Sequence, residues 1–98
     1  MQLHIDGHQR RPHLLTQSAF DVLHTPVGEE SYACGFEIVF GSFGTLLWHN
    51  GTNGYFFSQM YIVPERGLAV AIMVNAGGDS TGLQTAFAAE TVLENFLP

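Results

Sequence analysis

Residues 55–74, YFFSQMYIVPERGLAVAIMV, decide the fold. Two runs rich in aromatic and branched residues flank VPERG. Pro64 presets φ for the second position of a type I turn and Gly67 accepts a positive φ, so the runs Tyr55 to Val63 and Leu68 to Val74 are expected to close as a tight antiparallel hairpin. Alternate residues of a strand fall on opposite faces. In the second run Leu68, Val70, Ile72 and Val74 share one face, and Ala69, Ala71 and Met73 the other. Both faces are apolar, so this strand is expected to be central and covered on both sides.

Working outward, Thr45 to His49 and Tyr32 to Phe40 read as two more strands, joined by a turn over Gly41 to Gly44 and followed by the turn HNGTNG at 49–54. Downstream, NAGGDSTGLQ opens a helix with Thr81 and Gln84 as a capping box. Leu83, Ala86, Phe87, Ala89, Leu93 and Phe96 then recur at helical spacing up to Pro98. The alanine face of the last strand is the expected seat of this helix. Upstream, LLTQSAFDVLHTP carries Thr16 as an N-cap, Leu15 and Phe20 as a hydrophobic staple, and Ala19, Phe20, Val22 and Leu23 as one buried stripe. Pro26 ends that helix by about His24. Residues 1–14, polar and interrupted by Gly7 and Pro12, read as loop. The expected class is α+β: a four-stranded antiparallel meander, a C-terminal helix on one face and a short N-terminal helix.

The chain has 98 residues, room for one small domain, yet it is 46% hydrophobic and only 12% charged, with a mean hydropathy of +0.14. Short chains bury a smaller share of their surface and are expected to lean the other way. Residues 1–98 are therefore read as one partial domain: a piece of a larger unit, or a subunit that buries a face against a partner. One C-terminal helix and one short helix look too little to cover the sheet.

Nine acids stand against Arg10, Arg11 and Arg66, with no lysine, for a formal net charge of −6. A nucleic-acid partner is not expected without a basic patch. Arg10 and Arg11 are read as solvated surface. No Asp, Glu, Lys or Arg occurs between Ile38 and Pro64, but His49, Asn50, Asn53, Gln59 and the glycines of that stretch argue against a membrane span. Nothing marks a compartment. Cys34, the single cysteine, is read as a small packed hydrophobe on a strand, which leaves no internal disulfide.

Nucleophilic chemistry needs a hydroxyl or thiol beside a base. None of Ser18, Ser31, Ser42, Ser58 and Ser80 has lysine three positions on or lies in G-x-S-x-G. His4, Asp6 and His8 do not make a metal site if Gly7 keeps them off a rigid helix, and no metal or cofactor is expected. A zinc site through His4, His8 and His13 is a minor alternative. His24 reads as a helix-end histidine whose cation would suit the dipole. His49 stands apart, at the end of an apolar strand and two residues before Gly51, where another molecule has room to approach the backbone. On spacing alone it reads sooner as a half-buried strand histidine ahead of two Asn-Gly turns.

Residues 48–78 resemble the C-terminal part of the serine β-lactamase and penicillin-binding-protein-like family, which includes class C β-lactamases, related esterases and D-amino-acid peptidases. His49-Asn50-Gly51 is similar to the family's third motif in its His-x-Gly form, Pro64-Glu65-Arg66-Gly67-Leu68 to its hairpin, and Asn75 to the end of its following strand. Tyr32-Ala33-Cys34-Gly35-Phe36 resembles its Tyr-Gly-x-Gly-Trp-like strand, preceded by LLTQSAFDVLHTP. The resemblance implies part of a β-lactamase-like fold in which His49 helps to bind substrate or polarise the proton network. It also implies that Gly51 leaves room and that the Thr52 N–H completes an oxyanion hole. The Ser-x-x-Lys and Tyr-x-Asn motifs are not in this chain; in the family both precede this region. The expected function is thus the closing part of a serine hydrolase that cleaves an ester, amide or peptide through an acyl-enzyme. Its partner would be the N-terminal portion of the same domain, and the chain alone would be inactive. The alternative is a non-catalytic module that pairs with a second copy through an open sheet edge.

Overall fold

The computed structural model describes residues 1–12 and 14–97. One antiparallel sheet runs in the order β1 (Tyr32–Ala33), β2 (Phe36–Gly41), β3 (Gly44–Thr52), β4 (Phe57–Val63), β5 (Leu68–Val74), flanked by the helices α1 (Gln2–His8), α2 (Gln17–Leu23) and α3 (Thr81–Phe96). The class is α+β and the sheet a meander, with five strands in place of the expected four. The extra strand comes from Cys34 (φ 45°) and Gly35 (φ 101°), whose consecutive positive φ values make a two-residue turn between Ala33 and Phe36. Cys34 is therefore exposed at a hairpin tip and is not a packed strand residue.

The hairpin over VPERG forms as its residues predict. Pro64–Arg66 make one 3-10 turn, Gly67 takes φ 63°, and its N–H donates to the Pro64 carbonyl at 3.1 Å. Glu65 ties this turn to β3, accepting the Thr45 N–H at 3.0 Å and the Thr45 hydroxyl at 2.6 Å.

Pairing of β4 with β5 puts Phe57, Gln59, Tyr61 and Val63 on the face of Val74, Ile72, Val70 and Leu68, and Ser58, Met60 and Ile62 on the face of Met73, Ala71 and Ala69. α3 packs on the branched face and not, as expected, on the alanine face. The buried Gln59 explains the choice: its Nε2 donates to the Gly82 carbonyl at 3.1 Å and to the Thr85 hydroxyl, while the Tyr61 hydroxyl donates to its Oε1 at 2.7 Å. A buried amide costs free energy unless both ends are bonded, and α3 supplies one end. Thr81, Thr85, Ala89 and Leu93 are the buried residues of α3, whereas Leu83, Phe87 and Phe96, expected on its inner stripe, are exposed. No Thr81–Gln84 capping box forms: Ser80 is the N-cap and Thr81 is buried in the first turn.

The alanine face belongs to the N-terminal segment. Ile5 of α1 joins Ala33, Ile38, Leu47 and Ile62 in the core cluster, with Phe36 and Ala69 packed against it. Residues 2–8 are thus helix, contrary to the loop expected there. The signal misread was Gly7, which serves as a helix-packing position: a Cβ there would meet the Phe20 ring of α2 at 2.2 to 2.5 Å. Thr16 caps α2 as expected, accepting the Ala19 N–H at 3.2 Å, and the helix stops before His24. Of the expected stripe Phe20 is buried, while Ala19 and Val22 are exposed.

β5 is an edge strand, not a central one, and its alanine face is only half covered. Ala69 lies beside the core, but Ala71 and Met73 are exposed, Met73 to 80%. No described helix is long and apolar enough to cross a membrane.

Candidate functional site

His49, Gly51 and Thr52 lie on β3, which runs three residues past the expected strand end. Only the second Asn-Gly pair turns the chain, with Gly54 at φ 91°, while Asn50-Gly51 continues the ladder against Gln59 and Ser58. The Asn53 side chain shapes the turn, its Oδ1 accepting the N–H groups of Tyr55 at 3.0 Å and Phe56 at 2.9 Å. The Thr52 hydroxyl donates to the Phe56 carbonyl at 2.8 Å and accepts the Gly54 N–H at 3.0 Å.

The alanine face reads as three successive rows. Leu47, Ile62 and Ala69 form the row beneath α1. His49, Met60 and Ala71 form the next, in which His49 and Ala71 are exposed and Met60 half-buried. Gly51, Ser58 and Met73 form the last, and all three are exposed. The imidazole of His49 thus stands on the open half of this face, clear of the interior.

An open groove of about 500 Å³ lies over the ends of β3, β4 and β5, lined by Gly51, Thr52, Ser58, Phe56, Met73 and Asn75 among others. It includes Gly51, Thr52 and Asn75, which sequence reasoning singled out, but not His49, one row away on the same face, and no residue lining it is charged. A Cβ at Gly51 would find its nearest neighbour, Ser58 Oγ, at 4.0 Å, so a small residue here opens space toward the groove without being required by local packing. Gly77 is the reverse case. A Cβ there would lie 1.9 Å from the Gly54 carbonyl oxygen, so this glycine lets the loop after β5 close on the β3–β4 turn.

The direction of the Thr52 amide follows from the ladder. The Asn53 N–H donates to the Phe56 carbonyl, so residues 53 and 56 form a hydrogen-bonded pair, and Thr52 opposite Phe57 belongs to the alternate, non-bonded set. Its N–H therefore points away from β4, to the side on which β2 has already ended its pairing at Glu37–Trp48. It is a backbone donor that no described strand takes up, on the side of β3 away from the groove over β4 and β5.

Ser58 and Met73 were not singled out from the sequence. The cross-strand register that brings them beside Gly51 is their signal, and it is invisible until the strand ends are fixed. No hydrogen bond joins Ser58 to His49 among the described residues, so the groove holds a hydroxyl without an engaged base.

The other described histidines, His4, His8 and His24, collect elsewhere. His4 and His8 are one turn apart on α1, so the expectation that Gly7 would keep them off a helix is corrected. His4 Nδ1 lies 2.9 Å from His24 Nε2, and the two rings stack with centroids 5.1 Å apart. Burial, reinforced by neighbouring His4 and His8 against a smaller opposing influence of Asp21, holds His24 down to about 4. It is therefore neutral at pH 7 and not the dipole-stabilising cation the sequence suggested. No three described His, Cys, Asp or Glu residues could hold a metal ion together, and His13 lies outside the described residues.

Compared with protein-family models, curated proteins and solved structures, the chain matches none.

Proposed function

We propose that this chain is the closing part of a β-lactamase-like serine hydrolase and supplies one wall of its cleft. His49 would bind substrate or polarise the proton network, Gly51 would leave room for the acyl group, and the Thr52 N–H would be one of two oxyanion donors. The observation that carries this reading is the exposed far half of β3, which presents the His49 side chain and the Thr52 N–H, with Gly51 and Thr52 also at the rim of a groove. A donor of this kind contributes roughly 3 to 4 kcal/mol in a transition state. Neither a Ser-x-x-Lys nor a Tyr-x-Asn motif lies in the chain, so the attacking hydroxyl and its base would come from a preceding portion of the same domain. The unpaired outer edge of β5 and the bare Ala71 and Met73 give that portion a place to join. The bond cleaved would be an ester or an amide, the histidine in place of lysine favouring an esterase or peptidase.

The decisive experiment is to read the coding sequence immediately upstream and express it joined to this chain. An in-frame Ser-x-x-Lys and Tyr-x-Asn, a serine labelled by a fluorophosphonate, and loss of nitrophenyl-ester turnover in His49→Ala are expected. Absence of both motifs sinks the reading. The 98-residue chain by itself is expected to turn over neither a nitrophenyl ester nor nitrocefin.

The second reading, a non-catalytic module that pairs through its sheet edge, is favoured by one feature: β5 is an edge strand without a charge, a proline or a bulge, the usual guards against edge pairing. Sedimentation of the joined product separates the two: a monomer is expected if the preceding portion fills the β5 edge, and a dimer paired through β5 favours the second reading.

A further inference from the structure

His4 and His24, both half-buried, lie where α1 and α2 pack together beside the sheet, and neither lines the groove. His24 is wedged against the Phe20 ring at 4.5 Å and 74°, and His4 against the Phe36 ring at 4.9 Å and 71°. His8 flanks His24 with ring centroids 6.5 Å apart. The contact between His4 Nδ1 and His24 Nε2 holds one proton, whichever ring carries it. His24 Nδ1 is buried and has no partner among the described residues.

We propose that the His4–His24 pair is an acid-operated latch, whose protonation frees α1 and α2 from the sheet while β2 to β5 and α3 remain folded. A protonated His24 must point an N–H from Nδ1 at nothing, which costs the full desolvation of that group. If both rings carry two protons, the shared bond becomes N–H facing N–H between stacked cations. The charged groups nearby do little to absorb this. Asp21 on α2 receives Gln17 at 2.9 Å and lies 3.8 Å from Arg10; Asp6 on α1 is held by Arg11 at 2.6 Å; Glu65 on the hairpin faces His8 at 3.3 Å; and the Met1 amino group adds a further positive charge beside His4. Burial lowers His4 as well as His24, so both favour the docked, neutral state at pH 7.

Release would uncover the row of Leu47 and Ile62, because Ile5 of α1 is the residue that closes the core on that side. Among the described residues α1 is also held by Gln9 Nε2 to the Pro64 carbonyl at 2.6 Å, by the His8–Glu65 contact and, from α2, by Gln17 Nε2 to the Gly7 carbonyl at 3.1 Å. α3 and its bonds to Gln59 are on the opposite face and contain no histidine.

Hydrogen exchange of the intact chain, corrected for the intrinsic pH dependence of exchange, tests the latch between pH 7.5 and 4. Protection within residues 2–8 and 17–23 is expected to fall at least tenfold below about pH 6 while β3 to β5 keep theirs, and in His24→Phe the protection of 2–8 is expected to persist to lower pH. Simultaneous loss in all elements, or an unchanged midpoint in His24→Phe, overturns the proposal. Should that variant not fold, the histidine ring signals of the wild-type chain decide. Protonation of His24 coincident with the loss of α1 protection supports the latch, and protonation without that loss defeats it.

Discussion

The two ends of β3 share one backbone ladder and have opposite fates. At the near end Thr45 and Leu47 are buried, Glu65 accepts two hydrogen bonds from Thr45, and α1 closes the core above. At the far end His49, Asn50, Gly51 and Thr52 are all exposed, and no helix crosses the face above them. A nine-residue strand is thus anchored by its first half and offered to solvent by its second. The contrast teaches that packing is concentrated in one half of a strand and leaves the other half free to carry a site, as loops on a rigid scaffold do.

The contrast breaks first at the buried end. Leu47 is fully enclosed between Ile38 and Ile62, so Leu47→Ala is expected to destabilise the chain by about 3 kcal/mol in urea unfolding, through lost burial and the cavity left behind. Next is the loop contact against the β3–β4 turn. Gly77→Ala forces a Cβ into the Gly54 carbonyl and is expected to cost roughly 2 kcal/mol, with the largest amide shifts in the 52–56 turn.

Glu65 gives a smaller, pH-dependent effect. Burial alone would raise its carboxyl, but the Thr45 hydroxyl, its own backbone amide, the Thr45 amide and His8 together outweigh burial and hold it below the ordinary carboxylate value. A carboxyl lowered in the folded state contributes stability above its unfolded value and loses it as pH falls through the folded one. Glu65→Gln is therefore expected to cost about 1 kcal/mol at pH 7 and progressively less in acid, seen as a flatter acid limb in thermal melts against pH.

The smallest effect sharpens the comparison. His49→Ala removes an exposed side chain and is expected to change stability by less than about 0.5 kcal/mol, while abolishing most of the turnover of the reconstituted domain. If His49→Ala unfolds the chain, the far end of β3 is structural after all.

Much of the scaffold is legible in the sequence because it rests on local rules. VPERG, Thr16 and Pro26 each set a dihedral or a hydrogen bond within a few residues, and each acts as read. The misreadings share a cause. Gly7 looked like a loop residue because the ring that needs its missing Cβ belongs to Phe20, thirteen positions away. Both faces of Leu68 to Val74 looked covered because alternation reports polarity, not whether a partner is present. Cys34-Gly35 passed as strand because a non-glycine residue at φ 45° has no strong sequence mark. Of the candidate site, His49 and Gly51 could be singled out from spacing and resemblance, while Ser58 and Met73 required the register.

The sequence by itself determined the meander, its principal hairpin, the ends of α2 and the shortage of charge that leaves so much apolar surface, since those follow from dihedral preferences, caps and composition. Which face α3 takes, where α1 closes the core, and that β3 carries its histidine past the covered half were decided only in three dimensions. A buried amide must find its partners and a ring must find a glycine, and neither can be satisfied until distant segments meet.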